Sequence, residues 1–261
     1  MSDQAIGLEV SGVSKVFGGL RAVDNVSFST RQGEIFGIIG PNGAGKSTLF
    51  NLVTGTFPLS DGRIRYRGQD ITNLGPEGVA GHGIIRTFQS ATVFKNKTLK
   101  ENVRLGYLLA RLSHPSSFLD RTFVRKSRQN AFDLTEEVMA FCGLEAEQDR
   151  MAGELAYGLQ KTLGVAMAIA AGPTQLLMDE PAAGLNPIET EMMGKLIRRI
   201  RDERNIDVVL VEHDMPMVTS ICDRILVLNR HVLAIDVPDA IQRHPDVIEA
   251  YLGADIDLHQ V

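Results

Sequence analysis

Residues Gly40–Thr48 read "GPNGAGKST". Gly40, four residues, then Gly45, Lys46 and Ser47 reproduce the spacing G-x-x-x-x-G-K-[ST] of a phosphate-binding loop. The setting agrees with the spacing: a strand-like run, "EIFGII" (34–39), leads in, and "STLFNLVTG" (47–55) continues as a helix. Glycines let successive backbone N–H groups turn inward around phosphate oxygens, and the helix N-terminus adds positive potential. Gly40, Pro41, Asn42, Gly43, Ala44 and Gly45 form that cradle. Lys46 reaches the β- and γ-phosphates, Ser47 sets its hydroxyl on Mg²⁺, and Thr48 adds a contact near the α-phosphate. The pattern predicts a nucleoside triphosphate with magnesium as the ligand.

The 261 residues suit one large α/β domain or two small ones and are enough to bury a core. A net charge of −5 gives no basic surface, so no nucleic acid is expected as a partner. Cys142 and Cys222 are isolated from each other, without a second thiol at metal-ligand spacing, which predicts reduced thiols in a cytoplasmic protein. The opening "MSDQAIGLEV" has neither a basic region nor an apolar core of the kind a signal peptide carries. The most apolar segment, Leu163 to Ala171, falls well short of the ~20 residues that span a bilayer. Any role in a membrane process is therefore expected from the aqueous side.

Short strand-like pieces come first: "GLEVSGVSKVF", "AVDNVSFST" and, after Asp61-Gly62, "GRIRYRG". Thr98 to Glu101 fits a capping box ahead of "NVRLGYLLARL", which predicts a helix start. The polar, basic stretch "SHPSSFLDRTFVRKSRQN" is expected to be a loop or a solvated helix end. "AFDLTEEVMAFCG" is expected to be a second helix, with Gly143 in its C-terminal left-handed position. From Gly164 the rhythm is α/β. A helix is stopped by Gly172-Pro173; strand "QLLMDE", helix "IETEMMGKLIRRIRDER", strand "DVVLVEH", helix "MPMVTSICD" and the strand pair "RILVLN" and "HVLAID" follow, and two short helices close the chain. Alternating strands and helices predict a largely parallel sheet covered on both faces, with the helical middle inserted into it.

The strand "QLLMDEP" ends in two adjacent carboxylates, and a parallel strand beside a phosphate loop delivers its C-terminal residues to the ligand crevice. Asp179 is there to hold Mg²⁺, directly or through water, and Glu180 to orient or deprotonate the attacking water. His213 ends the next strand at the same edge, within reach of a γ-phosphate. Gln89 in "IIRTFQSATVF" reads as a loop amide and Phe17 in "SKVFGGL" as a core aromatic; spacing alone promotes neither.

Taken in order, "VFGG", "GPNGAGKST", "RTFQ", "LAYGLQ", "LLMDEP", "AGLN" and "VEHD" resemble the ATPase subunit of the ATP-binding cassette (ABC) family, over nearly the whole chain to about Gly253. The resemblance implies an α/β P-loop NTPase cassette: a mostly parallel sheet core, an N-terminal antiparallel β subdomain and an inserted helical subdomain. It places a single domain at 5–253, with the nucleotide-binding core at about 5–90 and 164–238, the helical part at about 91–163, and a C-terminal helical extension at 239–261. It assigns Phe17 to stacking on adenine, Gln89 to Mg²⁺ or water and to sensing a transmembrane partner, and His213 to a switch at the γ-phosphate. Asp179 and Glu180 keep the metal and general-base roles. The segment Ala156, Tyr157 and Gly158 aligns with the family signature, which completes the ATP site of an opposing subunit with backbone N–H groups at a helix start.

Three departures stand out: Ala156 in place of a serine, Leu159 in place of a glutamine, and Asn186 where the family usually has Asp. Ala156, Tyr157 and "PAAGLNP" are similar to one branch, the ATPases of branched-chain amino acid importers and related amide or urea importers. That resemblance implies ATP and Mg²⁺ as cofactors, a second cassette in a homo- or heterodimer, separate permease subunits, a solute-binding protein acting through them, and a place on the inner face of the cell membrane. A cassette working on ribosomes or DNA would usually carry two cassettes or a coiled-coil insert, and a small-molecule kinase would need neither His213 nor the Tyr157-Gly158 corner.

Overall fold

The computed structural model describes residues 5–87, 93–112 and 121–256. β1 (Ile6–Phe17) and β2 (Leu20–Arg31) pair antiparallel. After β3 (Ile35–Ile39) and α1 (Lys46–Val53), the chain returns through β4 (Asp61–Tyr66) and β5 (Gln69–Asp70), completing a four-stranded antiparallel sheet in the order β2-β1-β4-β5. α2 (Pro76–Gly81) and β6 (Ile84–Thr87) follow. Three helices come next: α3 (Leu99–Leu112), α4 (Arg121–Cys142) and α5 (Tyr157–Ala170), packed on one another. The rest alternates: β7 (Gln175–Asp179), α6 (Pro187–Arg204), β8 (Asp207–Val211), α7 (Met215–Ile221), β9 (Arg224–Asn229), β10 (His231–Asp236), α8 (Pro238–Ile241) and α9 (Pro245–Ile256).

The second sheet runs β10-β9-β3-β8-β7-β6 and is parallel except for the β9–β10 hairpin. Strands β3, β7 and β8 are buried at every residue, which explains the apolar runs Leu176–Met178 and Val208–Val211 within them: a sheet covered on both faces needs no polar side. The strand period divides each of them between two cores. Ile35, Ile39, Leu176, Met178, Val208 and Leu210 face a cluster with Leu163, Ile169, Ile197, Ile200 and Val218 from α5, α6 and α7. Phe36, Ile38, Leu177, Val209 and Val211 face Leu49 and Phe50 of α1 and the inner side of the first sheet, Val10, Val23 and Ile64.

The helix expected from Ala131 already begins at Arg121, inside the polar stretch expected to be a loop or a solvated helix end. Residues 121–142 hold no Gly or Pro to stop a helix, so it propagates back through the basic segment. No strand is expected from the sequence just before Gln89, yet Ile84–Thr87 pairs parallel with β7 as the edge strand. Four residues are too few to show a period. The capping box at Thr98 is present: Thr98 N–H donates to Glu101 Oε2 at 2.9 Å, and Thr98 Oγ1 accepts from Glu101 N–H at 3.3 Å. Gly143, just past α4, takes a φ of 69°. Among the described residues no helix is long and apolar enough to cross a membrane.

Candidate functional site

β3 lies between β9 and β8, so its C-terminal end opens in the middle of the sheet, beside the ends of the parallel strands β8 and β7. Open α/β sheets bind ligands along that edge. Gly45 caps the start of α1 with a φ of 94°, and a Cβ there would run into the Ala22 carbonyl oxygen, so only glycine fits. Lys46 is 6% exposed, and its ammonium donates to the carbonyls of Gly40 at 2.7 Å and Pro41 at 2.9 Å. Burial lowers its pKa; the carboxylates of Glu180 and Asp179 oppose that shift. The loop residues Asn42–Thr48, with Glu180 and His213 opposite, line a cavity of about 260 Å³.

Asp179, 4% exposed, ends β7. Its Oδ2 accepts from Arg86 at 2.6 Å, and Arg86 also donates to Asn51 Oδ1 at 2.6 Å. Asp179 Oδ1 is buried with no hydrogen-bond partner among the described residues. A bare carboxylate oxygen on a residue near enough to Lys46 to oppose its pKa shift suits Mg²⁺, a hard cation bound by one or two protein oxygens plus phosphates and water.

Glu180 turns the chain away from the strand with a φ of 48°, an uncommon conformation for a side-chain-bearing residue and one that costs of order 1 kcal/mol. Its N–H donates to Val211 O at 2.9 Å, and its carbonyl accepts from Lys161 Nζ at 2.9 Å and from Ala183 N–H at 3.2 Å. Its Oε1 lies 2.9 Å from His213 Nε2, so carboxylate and imidazole share a hydrogen bond at the cavity wall. Burial lowers the pKa of Lys161, and the carboxylates of Glu212, Glu180 and Asp179 oppose that shift.

Phe17 ends β1 and is 41% exposed, so its ring lies on the surface and not in the core where spacing alone would put it. Its ring meets Phe57 edge-on with centroids 5.5 Å apart, and Lys15 Nζ stands 5.0 Å from its centroid. Position 17 closes the hairpin onto β2, which is why the ring stays outside the core. Gln89 lies outside the described residues. Ala156 is the N-cap of α5, without a side-chain capping bond; Tyr157 and Gly158 form its first turn. A Cβ on Gly158 would stand 2.5 Å from Glu189 Oε1, so a larger residue there would require the Glu189 side chain to shift. Ala156–Gly158 do not line the phosphate-loop cavity, and Tyr157 is 45% exposed.

Sequence reasoning passed over Arg86, Lys161 and Glu212, all of which touch Asp179 or Glu180 or their loops. Arg86 and Glu212 sit inside quoted motifs, next to more familiar letters. Lys161 gives no local signal, because its partner is a backbone carbonyl 19 residues away.

The sequence profile of the family described as ABC transporter matches residues 23–183, and that of the branched-chain amino acid ATP-binding cassette transporter matches residues 231–257. The chain is 42% identical, over 94% of its length and 97% of the relative, to the high-affinity branched-chain amino acid transport ATP-binding protein BraF of Pseudomonas aeruginosa. It is 40% identical to the corresponding protein LivG of Escherichia coli K12, over 94% of this chain and 97% of that one. Among solved structures, a nucleotide-free ATP-binding cassette from an ABC transporter superposes with a TM-score of 0.80 at 30% identity, covering 94% of this chain and 98% of the other. The ADP conformation of an ABC transporter cassette gives 0.81 at 29%, covering 95% and 99%. With its phosphate loop at the centre of a parallel sheet and two thirds of its length aligned to these relatives or more, the chain belongs to the ABC transporter family, as one of its ATPase cassettes.

Proposed function

We propose that this chain is the ATP-hydrolysing subunit of an importer for branched-chain or related small amino acids, paired with a second cassette and docked on separate permease subunits at the inner face of the membrane. The observation that carries the site assignment is the Glu180–His213 pair, held 2.9 Å apart against the wall of the cavity that Lys46 and Ser47 also line. Names of the relatives in the branched-chain branch support the cargo.

Each residue has one task in this reading. Backbone N–H groups of Gly40 to Gly45 and the start of α1 receive the phosphates, and Lys46 moves its ammonium from the loop carbonyls to the β- and γ-oxygens. Ser47 and Asp179 Oδ1 would hold Mg²⁺, and the family resemblance assigns Gln89 to the same ion, which would neutralise charge on the transferring phosphoryl group. Glu180 takes the proton of the attacking water. His213, hydrogen-bonded to the same carboxylate, fixes its orientation and meets the γ-phosphate. Phe17 stacks on adenine. Ala156, Tyr157 and Gly158 present the N-terminus of α5 to the ATP of the opposing cassette, which accounts for their position outside their own cavity and for the exposure of Tyr157. Closure and reopening of the pair pass through the helical part, about residues 91–163, and the Gln89 loop to the permease.

Purifying the chain with its membrane partners and measuring ATPase activity with and without solute-loaded binding protein tests the transport reading. Stimulation by a branched-chain amino acid is expected; an ATPase indifferent to every amino acid, or one recovered only with ribosomes or DNA, would overturn it.

A further inference from the structure

Glu212 follows β8 directly and is 2% exposed. Its Oε1 accepts the Ala182 N–H at 2.6 Å; its Oε2 accepts the N–H of His213 at 2.9 Å and of Asp214 at 3.4 Å. Its own N–H donates to the Ile38 carbonyl at 3.3 Å, in the strand that feeds the phosphate loop. One buried carboxylate therefore grips two loops: the one that leaves Glu180 and the one that carries His213. Both side-chain oxygens are engaged, and amide donors to a carboxylate make the stronger class of hydrogen bond.

Resting on the site reading above, we propose that Glu212 is a positioning residue that bolts the Ala182 loop to the His213 loop and thereby sets the 2.9 Å register between Glu180 and His213. Glu212 touches neither nucleotide nor water in this arrangement. Its effect runs through the spacing of two backbones, in addition to the Glu180 N–H to Val211 O bond that joins the same strand ends. Glutamine has nearly the same shape but one acceptor oxygen, and its NH₂ would face a backbone N–H donor from one loop or the other. A mere filler of buried space would tolerate that neutral isostere; a two-armed clamp would not.

The test is Glu212→Gln in the purified full chain. The expected result is a fall in kcat of about ten- to a hundredfold, the cost of a small misplacement at a reacting centre, with KM for ATP and equilibrium ATP binding within about twofold. Combining Glu212→Gln with His213→Ala is expected to be no slower than His213→Ala alone, because both remove the same register. Native kcat in Glu212→Gln would overturn the proposal, as would a multiplicative loss in the double variant or a loss of ATP binding and melting temperature in step with kcat. Should Glu212→Gln fail to fold, Glu212→Asp, which keeps the charge but shortens the reach, is held to the same criteria. The site reading fails separately: a Glu180→Gln variant that turns over ATP would sink it, whereas an inert Glu180→Gln beside a fully active Glu212→Gln would remove only the clamp.

Discussion

Lys46 shows how a single side chain is prepared for a charge it will meet. It is buried against two carbonyls, with its pKa lowered by that burial, so its ammonium is poorly solvated and gains more from a polyphosphate than an exposed lysine would. Lys46→Ala should abolish ATP binding in a fluorescence or calorimetric titration, a loss of at least about a hundredfold given the several kcal/mol of a desolvated charge pair. Retained affinity would mean that the loop binds phosphate without its cation. This much was legible in the sequence, because the phosphate loop is a local motif whose spacing and setting both lie within about 20 residues. Glu212 and Lys161 were not legible. Each earns its place through partners far along the chain, Ala182 and the Glu180 carbonyl, and no periodicity or spacing points to them.

Helix starts repeat the lesson one level up. Asn186, where the family usually has Asp, caps α6 fully: its Oδ1 accepts from Ile188 and Glu189, both at 3.0 Å, and the Glu189 carboxylate answers to its N–H at 3.0 Å. The departure from Asp is thus filled by a residue with the same capping chemistry. Glu189 also presses on Gly158, so the α6 cap is in contact with the first turn of α5. Asn186→Ala should cost about 1 kcal/mol in denaturant unfolding. Ala156 offers the converse case. It stands at the N-cap of α5 with no side-chain bond, so Ala156→Ser should stabilise the protein by about 1 kcal/mol in the same experiment. If the serine left stability unchanged, its hydroxyl would be turned away from the α5 amides. Long periodic elements such as α5 and α6 were readable; β6 was not, since four residues draw their strand character from the neighbour they pair with.

For the molecule as a whole, packing covers both cysteines to different degrees: Cys222, just past α7, is buried and Cys142, at the end of α4, is half-buried. Burial pushes the Cys142 thiol up to about 12, with Arg204 and Arg199 opposing the shift, and pushes Cys222 higher still. The thiolate is the reactive form, so neither should be alkylated in the folded protein at pH 8, while both react after unfolding; mass spectrometry counts the adducts. The sign for stability follows. A thiol raised above its ordinary value of 9.0 favours the fold below that pH, and the contribution is lost as pH rises towards about 12, so alkaline unfolding should set in across that window. The order of motifs made the architecture legible because β3, β6, β7 and β8, which lead into four of them, run parallel and end at one edge of the second sheet. Phe17 lies outside the core and Tyr157 outside its own chain's cavity, and periodicity alone signals neither position.

The most direct measurement is single-turnover hydrolysis by Glu180→Gln with bound Mg²⁺-ATP, compared with the native chain. With Glu180 as the base, the variant retains ATP at native affinity and leaves it intact, slowed by about a hundredfold or more. Phosphate released at the native rate would contradict it.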